Sequence, residues 1–164
     1  MTPCTGNKEQ MIKAGAKLGN NVNIIGDIHY SSEPYLINIG DNTTISFECA
    51  LITHDAATRV IRNLPNNNPN TVIYGPINIG KNCFIGARTT ILPNITIGDN
   101  TIIGACSLVN KDIPSNVVAA GNPCKVICTL DEYIHKHKDD FLYIVNLPYQ
   151  DKKDFLIKKF NNKI

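Results

Sequence analysis

The stretch CALITHDAATRVIRNLPNNNPN, residues 49–70, places a histidine next to an aspartate in an irregular segment. An imidazole titrates near neutral pH, so it can take a proton from a poor nucleophile such as a hydroxyl. The sequence contains four histidines: His29, His54, His135 and His137. His135 and His137 fall in a predicted C-terminal helix and His29 in a weak N-terminal repeat. His54 is therefore the candidate general base.

A general base needs a partner that fixes one ring nitrogen and leaves the other free. Asp55 is adjacent to His54, but on a strand its side chain would point to the opposite side. Glu33, in SSEPY, is the rival partner, and a neighbouring subunit could supply it. Asp55 as a turn former and Glu33 as a surface residue stay open as alternatives.

Cys49 offers a covalent route, in which its thiol would be the nucleophile and His54 its base. Cys49 falls on a small, inward-facing position of a sequence repeat, which favours a packed thiol over a nucleophile. The six cysteines form no C-x-x-C pair, so we expect reduced thiols and neither a zinc site nor a disulfide scaffold.

Two arginines follow the histidine, Arg59 and Arg62. They could bind an anionic acceptor or anchor the loop, and we favour acceptor binding for Arg62. A net charge of +2 without a clustered basic face argues against a nucleic-acid partner. The start of the chain lacks the features of a signal peptide, and no segment approaches the about 18 apolar residues of a membrane span. We therefore expect a cytoplasmic protein.

The elements that must position these residues follow a period of six. From residue 79 the chain reads IGKNCF, IGARTT, ILPNIT, IGDNTI, IGACSL and VNKDIP, and the register returns upstream at Ile39, Ile45 and Leu51. The upstream match is weaker at Leu18 and Ile24. This period suits short strands separated by turns, with the aliphatic residue inside. It predicts a mainly β chain folded as a parallel β-solenoid.

The period fails between Leu51 and Ile79, which predicts a protruding loop at about residues 54–78. Long loops on repeat bodies are commonly functional. Thr129 and Glu132 have the spacing of a capping box that opens a helix, and a second helix is predicted in YQDKKDFLIKKFNN. We expect a β domain over residues 1–128 and a helical extension over residues 129–164.

The segment IGKNCFIGARTTILPNITIGDNTIIGACSLVNKDIPSNVVAAGNPCKVI, residues 79–127, resembles the hexapeptide-repeat acyltransferases. Within that family the chain resembles the sugar O-acetyltransferase branch, with its galactoside, maltose, capsule and O-antigen enzymes. SSEPYLINIGDN and ITHDAATRVIRNL resemble in particular its polysaccharide-modifying members. The resemblance implies a left-handed parallel β-helix, a homotrimer, and acetyl transfer from acetyl-CoA to a hydroxyl of a saccharide or polysaccharide precursor. It implies no metal.

The same resemblance implies the site. His54 stands where the galactoside and maltose enzymes have their catalytic histidine, and the segment from Phe84 to Ala87 is expected near the oxyanion. The acceptor would contact Tyr35, Arg62 and Phe84. The residues expected to bind acetyl-CoA are Gly86, Ala87, Gly104, Ala105, Asn110, Lys111 and Lys125.

Three positions depart from that family pattern. Phe84 stands where tryptophan is usual, which keeps an aromatic wall but removes an indole N–H. Asn110 replaces a threonine and Cys128 replaces an arginine. The loss of a cation is expected to weaken the contact with the CoA phosphates unless a lysine of the tail replaces it.

The same residues bear on three other functions. A drug-acetylating relative of the streptogramin and chloramphenicol enzymes is the second hypothesis, although its loop would read Asn-His. A gamma-type carbonic anhydrase needs three imidazoles around zinc, whereas the repeats offer only His29 and His54. A degenerate scaffold would be expected to lack the loop histidine and an intact AAGNPCKVI segment.

Overall fold

Short strands follow one another along the first three quarters of the chain, and most of them carry an aliphatic residue of the six-residue repeat. The structure is a computed structural model that describes residues 4–161. The strands are β1 (Cys4–Gly6), β2 (Lys17–Leu18), β3 (Asn23–Ile24), β4 (Ile28–Tyr30), β5 (Ile37–Ile39), β6 (Thr44–Ile45), β7 (Ala50–Leu51), β8 (His54–Asp55), β9 (Ile73–Tyr74), β10 (Ile77–Ile79), β11 (Phe84–Ile85), β12 (Thr90–Ile91), β13 (Ile95–Ile97), β14 (Ile102–Ile103), β15 (Leu108–Val109), β16 (Val117–Ala120) and β17 (Lys125–Thr129).

Successive strands enter three sheets in turn. Sheet 1 has the order β2-β5-β10-β13, sheet 2 the order β3-β6-β11-β14-β16-β17, and sheet 3 the order β1-β4-β7-β12-β15. Neighbouring strands pair in parallel, except that β1 on β4 and β17 on β16 are antiparallel. The prediction of a mainly β chain with parallel strands is confirmed.

The aliphatic repeat residues form the core. Those from Ile39 onward are buried: Ile39, Ile45, Leu51, Ile79, Ile85, Ile91, Ile97, Ile103 and Val109. Leu18 and Ile24, where the repeat is weak, are only partly buried and pack against this core. Burial of each aliphatic side chain contributes about 1.5–3 kcal/mol, so the interior stabilises the stack in every coil.

The connections between sheets form three sets of stacked turns. The turns that lead from sheet 1 to sheet 2, the sheet 1-to-2 turns, include residues 40–43 and 80–83. The turns that lead from sheet 2 to sheet 3, the sheet 2-to-3 turns, include residues 46–49, 86–89 and 104–107. The sheet 3-to-1 turns are residues 31–36, 52–76, 92–94 and 110–112, of which 52–76 is by far the longest. It lies where the sequence predicts a protruding loop and contains the β8–β9 hairpin.

The helices lie at the two ends of the chain and in the long turn. They are α1 (Lys8–Lys13), α2 (Thr58–Arg62), α3 (Leu130–His137) and α4 (Tyr149–Phe160), with short 3-10 turns at Pro34–Leu36 and Lys138–Asp140. Asn7 caps α1, and Met11 of this helix joins the buried core. None of the helices within residues 4–161 combines the length and apolar composition of a membrane span.

The chain divides into two compact units, one running to Tyr133 and one beginning at Ile134. Thr129 and Glu132 form the capping box that opens α3: Thr129 N–H donates to Glu132 Oε2 at 2.7 Å, and Glu132 N–H to Thr129 Oγ1 at 3.1 Å. In the second unit, α4 lies in the segment where the sequence predicts a second helix, and it contains no buried residue.

Candidate active site

The stacking register brings Glu33 to His54. In sheet 3, His29 lies opposite Ala50 and Tyr30 opposite Leu51, an offset of 21 residues. The same offset, continued into the sheet 3-to-1 turns, pairs position 33 with position 54. Glu33 Oε2 lies 2.8 Å from His54 Nδ1 within one chain. The imidazole therefore has its carboxylate partner without a neighbouring subunit.

The buried Glu33 carboxylate accepts several hydrogen bonds. Its Oε1 accepts a hydrogen bond from Ser32 Oγ at 2.6 Å, and Oε2 accepts one from Thr53 Oγ1 at 3.0 Å. Burial alone would raise the pKa of Glu33, but the hydrogen bonds from Ser32, His54 and Thr53 and the attraction of His54 outweigh it and lower that pKa. The group is therefore an ionised acceptor near neutral pH.

The ionised partner sets the tautomer of His54. A carboxylate can only accept hydrogen bonds, so Nδ1 carries the hydrogen of the 2.8 Å contact and Nε2 keeps its lone pair. The assignment follows from the hydrogen-bond network. The His54 side chain is 14% exposed, so the imidazole is held in place but remains reachable. This is the arrangement that a general base requires.

Tyr74 packs against the same imidazole. The β8–β9 hairpin pairs His54 with Tyr74, and Gly75 N–H donates to Thr53 carbonyl O at 2.9 Å. The two rings meet edge-on, with centroids 6.0 Å apart and planes at 72°. The long turn therefore leaves the stack, returns, and supports the histidine on its way back.

Other polar residues of the long turn serve its own conformation. Asp55 Oδ1 accepts a hydrogen bond from Ala57 N–H at 2.8 Å, which makes Asp55 a turn former. The partner of His54 is Glu33 and not Asp55, because strand geometry directs the side chains of His54 and Asp55 apart. Arg62 Nε donates to the carbonyl oxygen of Thr71, so Arg62 has the loop-anchoring role that the sequence left as its alternative.

A cavity of about 530 Å³ opens beside His54. One wall is a column from three successive coils, Ile52, Leu92 and Asn110, next to Pro93, and the other wall comes from the long turn. The volume is within the range of small-molecule sites. The described residues that line the cavity are Ile52, His54, Asp55, Ala56, Ala57, Ile73, Leu92, Pro93 and Asn110.

The remaining predicted site residues lie elsewhere on the chain. Phe84 is on β11 in sheet 2 and is 43% exposed, and Tyr35 is in the 3-10 turn and is 59% exposed. Lys125 is on β17, and Lys111 follows Asn110 in the last sheet 3-to-1 turn. The structure thus brings Glu33, His54 and Asn110 to one region, whereas Phe84 and Tyr35 do not line the cavity described above.

Four of the residues predicted for the acyl donor share the sheet 2-to-3 turns: Gly86, Ala87, Gly104 and Ala105. A Cβ on Gly86 would lie 2.5 Å from Ala105 N, so only glycine allows this close stacking. The left-handed positions of these turns are Glu48, Arg88 and Cys106, and Arg88 Nε contacts Glu48 Oε2 at 2.7 Å. Within one chain, sheet 3 separates these turns from the cavity beside His54.

Cys49 is a packed thiol. Its Sγ donates to the carbonyl oxygen of Gly86 at 3.2 Å, and burial raises its pKa, which disfavours the nucleophilic thiolate. In the part of the chain that the structure describes, no three His, Cys, Asp or Glu side chains are grouped as a metal site requires.

Sequence reasoning missed Ser32, Thr53 and Tyr74. Ser32 and Thr53 flank the two central residues, and the offset of 21 between Leu18 and Ile39 and between Ile24 and Ile45 would have indicated that Glu33 faces His54. No periodic signal pointed to Tyr74, because its position depends on the path of the long turn.

Known proteins resemble this chain in sequence. Residues 76–111 match the family described as bacterial transferase hexapeptide (six repeats). Protein CapG of Staphylococcus aureus is 36% identical over 155 residues, which are 93% of this chain and 88% of CapG. Galactoside O-acetyltransferase of Escherichia coli K12 is 43% identical over 102 residues, which are 61% of this chain and 47% of that enzyme. The chain thus spans about half the length of the galactoside enzyme.

Two solved structures resemble it in fold. A maltose O-acetyltransferase from Clostridium difficile 630 has a TM-score of 0.54 at 29% identity, covering 74% of this chain and 73% of that one. A hexapeptide-repeat acetyltransferase from Vibrio cholerae, complexed with acetyl coenzyme A, has a TM-score of 0.54 at 23% identity. That likeness covers 71% of this chain and 61% of the other, and it shows the fold alone.

Proposed function

Because the chain belongs to the family of bacterial hexapeptide-repeat transferases, in its sugar acetyltransferase branch, we propose that it transfers acetyl from acetyl-CoA to a saccharide hydroxyl with His54 as general base. The observation that carries the proposal is the buried Glu33 carboxylate, 2.8 Å from His54 Nδ1 and beside a cavity of small-molecule size. The acceptor is a saccharide or a precursor of a cell-surface polysaccharide.

In this proposal His54 Nε2 takes the hydroxyl proton while the oxygen forms a bond to the thioester carbonyl carbon. Glu33 stabilises the resulting imidazolium, with which it pairs. The tetrahedral intermediate then breaks its carbon–sulfur bond, and His54 returns the proton to the departing CoA thiolate. A positioned base of this kind contributes about 10²–10⁴ in rate.

The acyl donor is proposed to lie along the sheet 2-to-3 turns. Gly86 N–H donates to Ile103 carbonyl O and Gly104 N–H to Ala119 carbonyl O, both at 2.8 Å, so stacking uses these two donors. We assign the N–H groups of Ala87 and Ala105 to the donor amides or the oxyanion. Lys111 and Lys125 are proposed to contact the phosphates.

We further propose that the three sheets form a left-handed β-helix and that the chain assembles as a homotrimer. Within one chain, sheet 3 lies between the sheet 2-to-3 turns and His54, and this separation supports the proposal. A donor bound along those turns could reach His54 of a neighbouring chain, which would complete the site. Sedimentation would contradict this if it gave a fully active monomer.

The compartment proposed for this reaction is the cytoplasm. Cys49, Cys83, Cys106, Cys124 and Cys128 are all free thiols, which suits a reducing compartment.

The function is tested by incubating the protein with acetyl-CoA and a panel of acceptors, and detecting acetylated products by mass spectrometry. The panel contains free sugars, nucleotide-linked sugars, lipid-linked glycans, chloramphenicol and a streptogramin. Acetylation of a saccharide that depends on His54 is expected. Acetylation of the two drugs alone would replace this proposal with the drug-modifying function.

A further inference from the structure

Thr53 precedes His54 in the long turn, and its backbone is held from two sides. Its N–H donates to Ser31 Oγ at 3.0 Å, and its carbonyl oxygen accepts from Gly75 N–H at 2.9 Å. Ser31 belongs to the first sheet 3-to-1 turn and Gly75 to the returning end of the second, so Thr53 is bonded to both turns. A threonine side chain is stiff at χ1 because it branches at Cβ. The held backbone therefore sets the direction of the Thr53 hydroxyl.

The Thr53 hydroxyl donates to the carboxylate oxygen that also contacts the imidazole. Thr53 Oγ1 lies 3.0 Å from Glu33 Oε2, and His54 Nδ1 lies 2.8 Å from the same atom. An ionised carboxylate only accepts hydrogen bonds, so the hydroxyl hydrogen points to Oε2. Two donors that converge on one oxygen fix its position more narrowly than the imidazole alone would.

Ser32 also donates to this carboxylate, but its situation differs from that of Thr53. Ser32 Oγ lies 2.6 Å from Glu33 Oε1, and Ser32 is exposed, so water can replace its hydroxyl at little cost. Thr53 is fully buried, and solvent does not reach its hydroxyl. A buried acceptor that loses its donor bears the full cost of the missing bond. The site therefore depends more on Thr53 than on Ser32.

We propose that Thr53 is a positioning residue of the candidate active site, whose hydroxyl holds Glu33 Oε2 against His54 Nδ1. This inference rests on the proposed function and adds to it a residue that acts through Glu33. The titratable side chains around the carboxylate are His54, which contacts it, and Tyr74, which packs against the imidazole. Without the hydroxyl, the carboxylate is freer to rotate, and the imidazole is less often held with Nε2 as its free acceptor.

Steady-state kinetics with the best saccharide acceptor test the role in the reaction. Thr53→Val keeps the shape and removes the hydroxyl, and it should lower kcat by at least about 3-fold with little change in either KM. Thr53→Ser keeps the hydroxyl and should restore most of kcat. Ser32→Ala should change kcat by less than about 2-fold. A loss confined to KM, or equal losses of kcat in Thr53→Val and Thr53→Ser, would overturn the proposal.

Thr101→Val is the matched control. Thr101 is also fully buried, and its hydroxyl donates to Pro114 carbonyl O at 3.0 Å in a sheet 1-to-2 turn. Its loss should lower thermal stability and leave kcat of the folded protein unchanged. A fall in kcat equal to that of Thr53→Val would mean that any lost buried hydroxyl weakens the reaction, and would contradict a specific role of Thr53.

Carbon NMR of the Glu33 carboxyl tests the same contact without turnover. The resonance is identified by its absence in Glu33→Gln, and its titration midpoint is compared among the variants. Loss of a donor to the charged form favours the neutral acid, so Thr53→Val should raise the pKa of Glu33 and move the midpoint up by at least about 0.5 pH units. Thr53→Ser and Thr101→Val should keep the native midpoint. An unchanged midpoint in Thr53→Val would contradict the proposal.

The two measurements separate this inference from the proposed function. A raised midpoint in a protein that acetylates no acceptor would contradict the proposed function and support Thr53 as the residue that fixes the carboxylate. Acetyl transfer that depends on His54, with native kcat and midpoint in Thr53→Val, would support the function and contradict the role of Thr53. Thr53→Cys, whose thiol is a weaker donor, should change both quantities in the same direction and replaces Thr53→Val if that variant does not fold.

Discussion

The sheet 1-to-2 turns share the same residue type at their left-handed position, whereas the sheet 3-to-1 turns differ from coil to coil. The left-handed residue of each sheet 1-to-2 turn is asparagine: Asn21, Asn42, Asn82, Asn100 and Asn116. The last three form an asparagine ladder, in which Asn82 Nδ2 donates to Asn100 Oδ1 at 2.8 Å and Asn100 Nδ2 to Asn116 Oδ1 at 3.0 Å. Asparagine tolerates this backbone region better than most residues.

The sheet 3-to-1 turns have no such common residue. The first contains Glu33 and the second contains His54, and the second extends over residues 52–76. The polar side chains there are arranged around one imidazole instead of along the stack. In this chain the repeated turns therefore serve the stacking of the coils, and the irregular turns contain the candidate catalytic residues.

The largest effect is expected for His54→Ala. Turnover should fall by at least about 10², because the general base is lost. Steady-state kinetics with the best saccharide acceptor measure it. His29→Ala is the matched control, since His29 is exposed and its Nδ1 contacts Thr5 Oγ1. Equal losses in the two variants would contradict the assignment of His54 as the general base.

The asparagine ladder should affect stability and leave turnover unchanged. Asn100→Ala is expected to lower the free energy of unfolding by about 2 kcal/mol, through left-handed strain and the loss of two side-chain hydrogen bonds. Asn100→Gly keeps the backbone freedom and should cost about 1 kcal/mol. Denaturant titration at one protein concentration measures both. A large loss of turnover in folded Asn100→Gly would assign the ladder to the active site.

Glu33→Gln should lower turnover by about 10-fold, since the imidazolium loses a neighbouring charge. It should also alter acid stability. The folded-state pKa of Glu33 lies below its ordinary value of 4.5, so its ionised form stabilises the fold above that pH. This contribution is lost as the pH falls through the lower, folded-state pKa.

Melting temperatures between neutral pH and pH values below 4.5 therefore test the Glu33 network. The native protein is expected to lose more stability over that window than Glu33→Gln. Parallel curves for the two proteins would show that the carboxylate is not stabilised by its hydrogen bonds.

The smallest effect is expected for Tyr74→Ala. Losing the edge contact should let the imidazole move and lower kcat several-fold with little change in the acceptor KM. Tyr74→Phe keeps the ring and should restore kcat. A change confined to KM would make Tyr74 a ligand-binding residue instead of a support for His54.

The stacked sheets could be predicted well from the sequence, because every coil needs an aliphatic residue inside and a turn residue after it. The candidate base could also be found, since His54 stands at the largest break in the repeat. The Glu33 contact was left open because the first two coils are offset by 21 residues instead of the 18 of three hexapeptides, as between Ile79 and Ile97. The roles of Arg62 and Tyr74 depend on the irregular path of the long turn, which no period encodes.

The claim that Glu33 acts through His54 is tested most directly by a double-mutant cycle on turnover. The four proteins are the native chain, Glu33→Gln, His54→Ala and the double variant, each verified as folded. Residues that act as one unit have non-additive effects. Glu33→Gln should therefore lower turnover in the native background and have no further effect once His54 is alanine. Equal fold-losses in both backgrounds would contradict a Glu33–His54 catalytic pair.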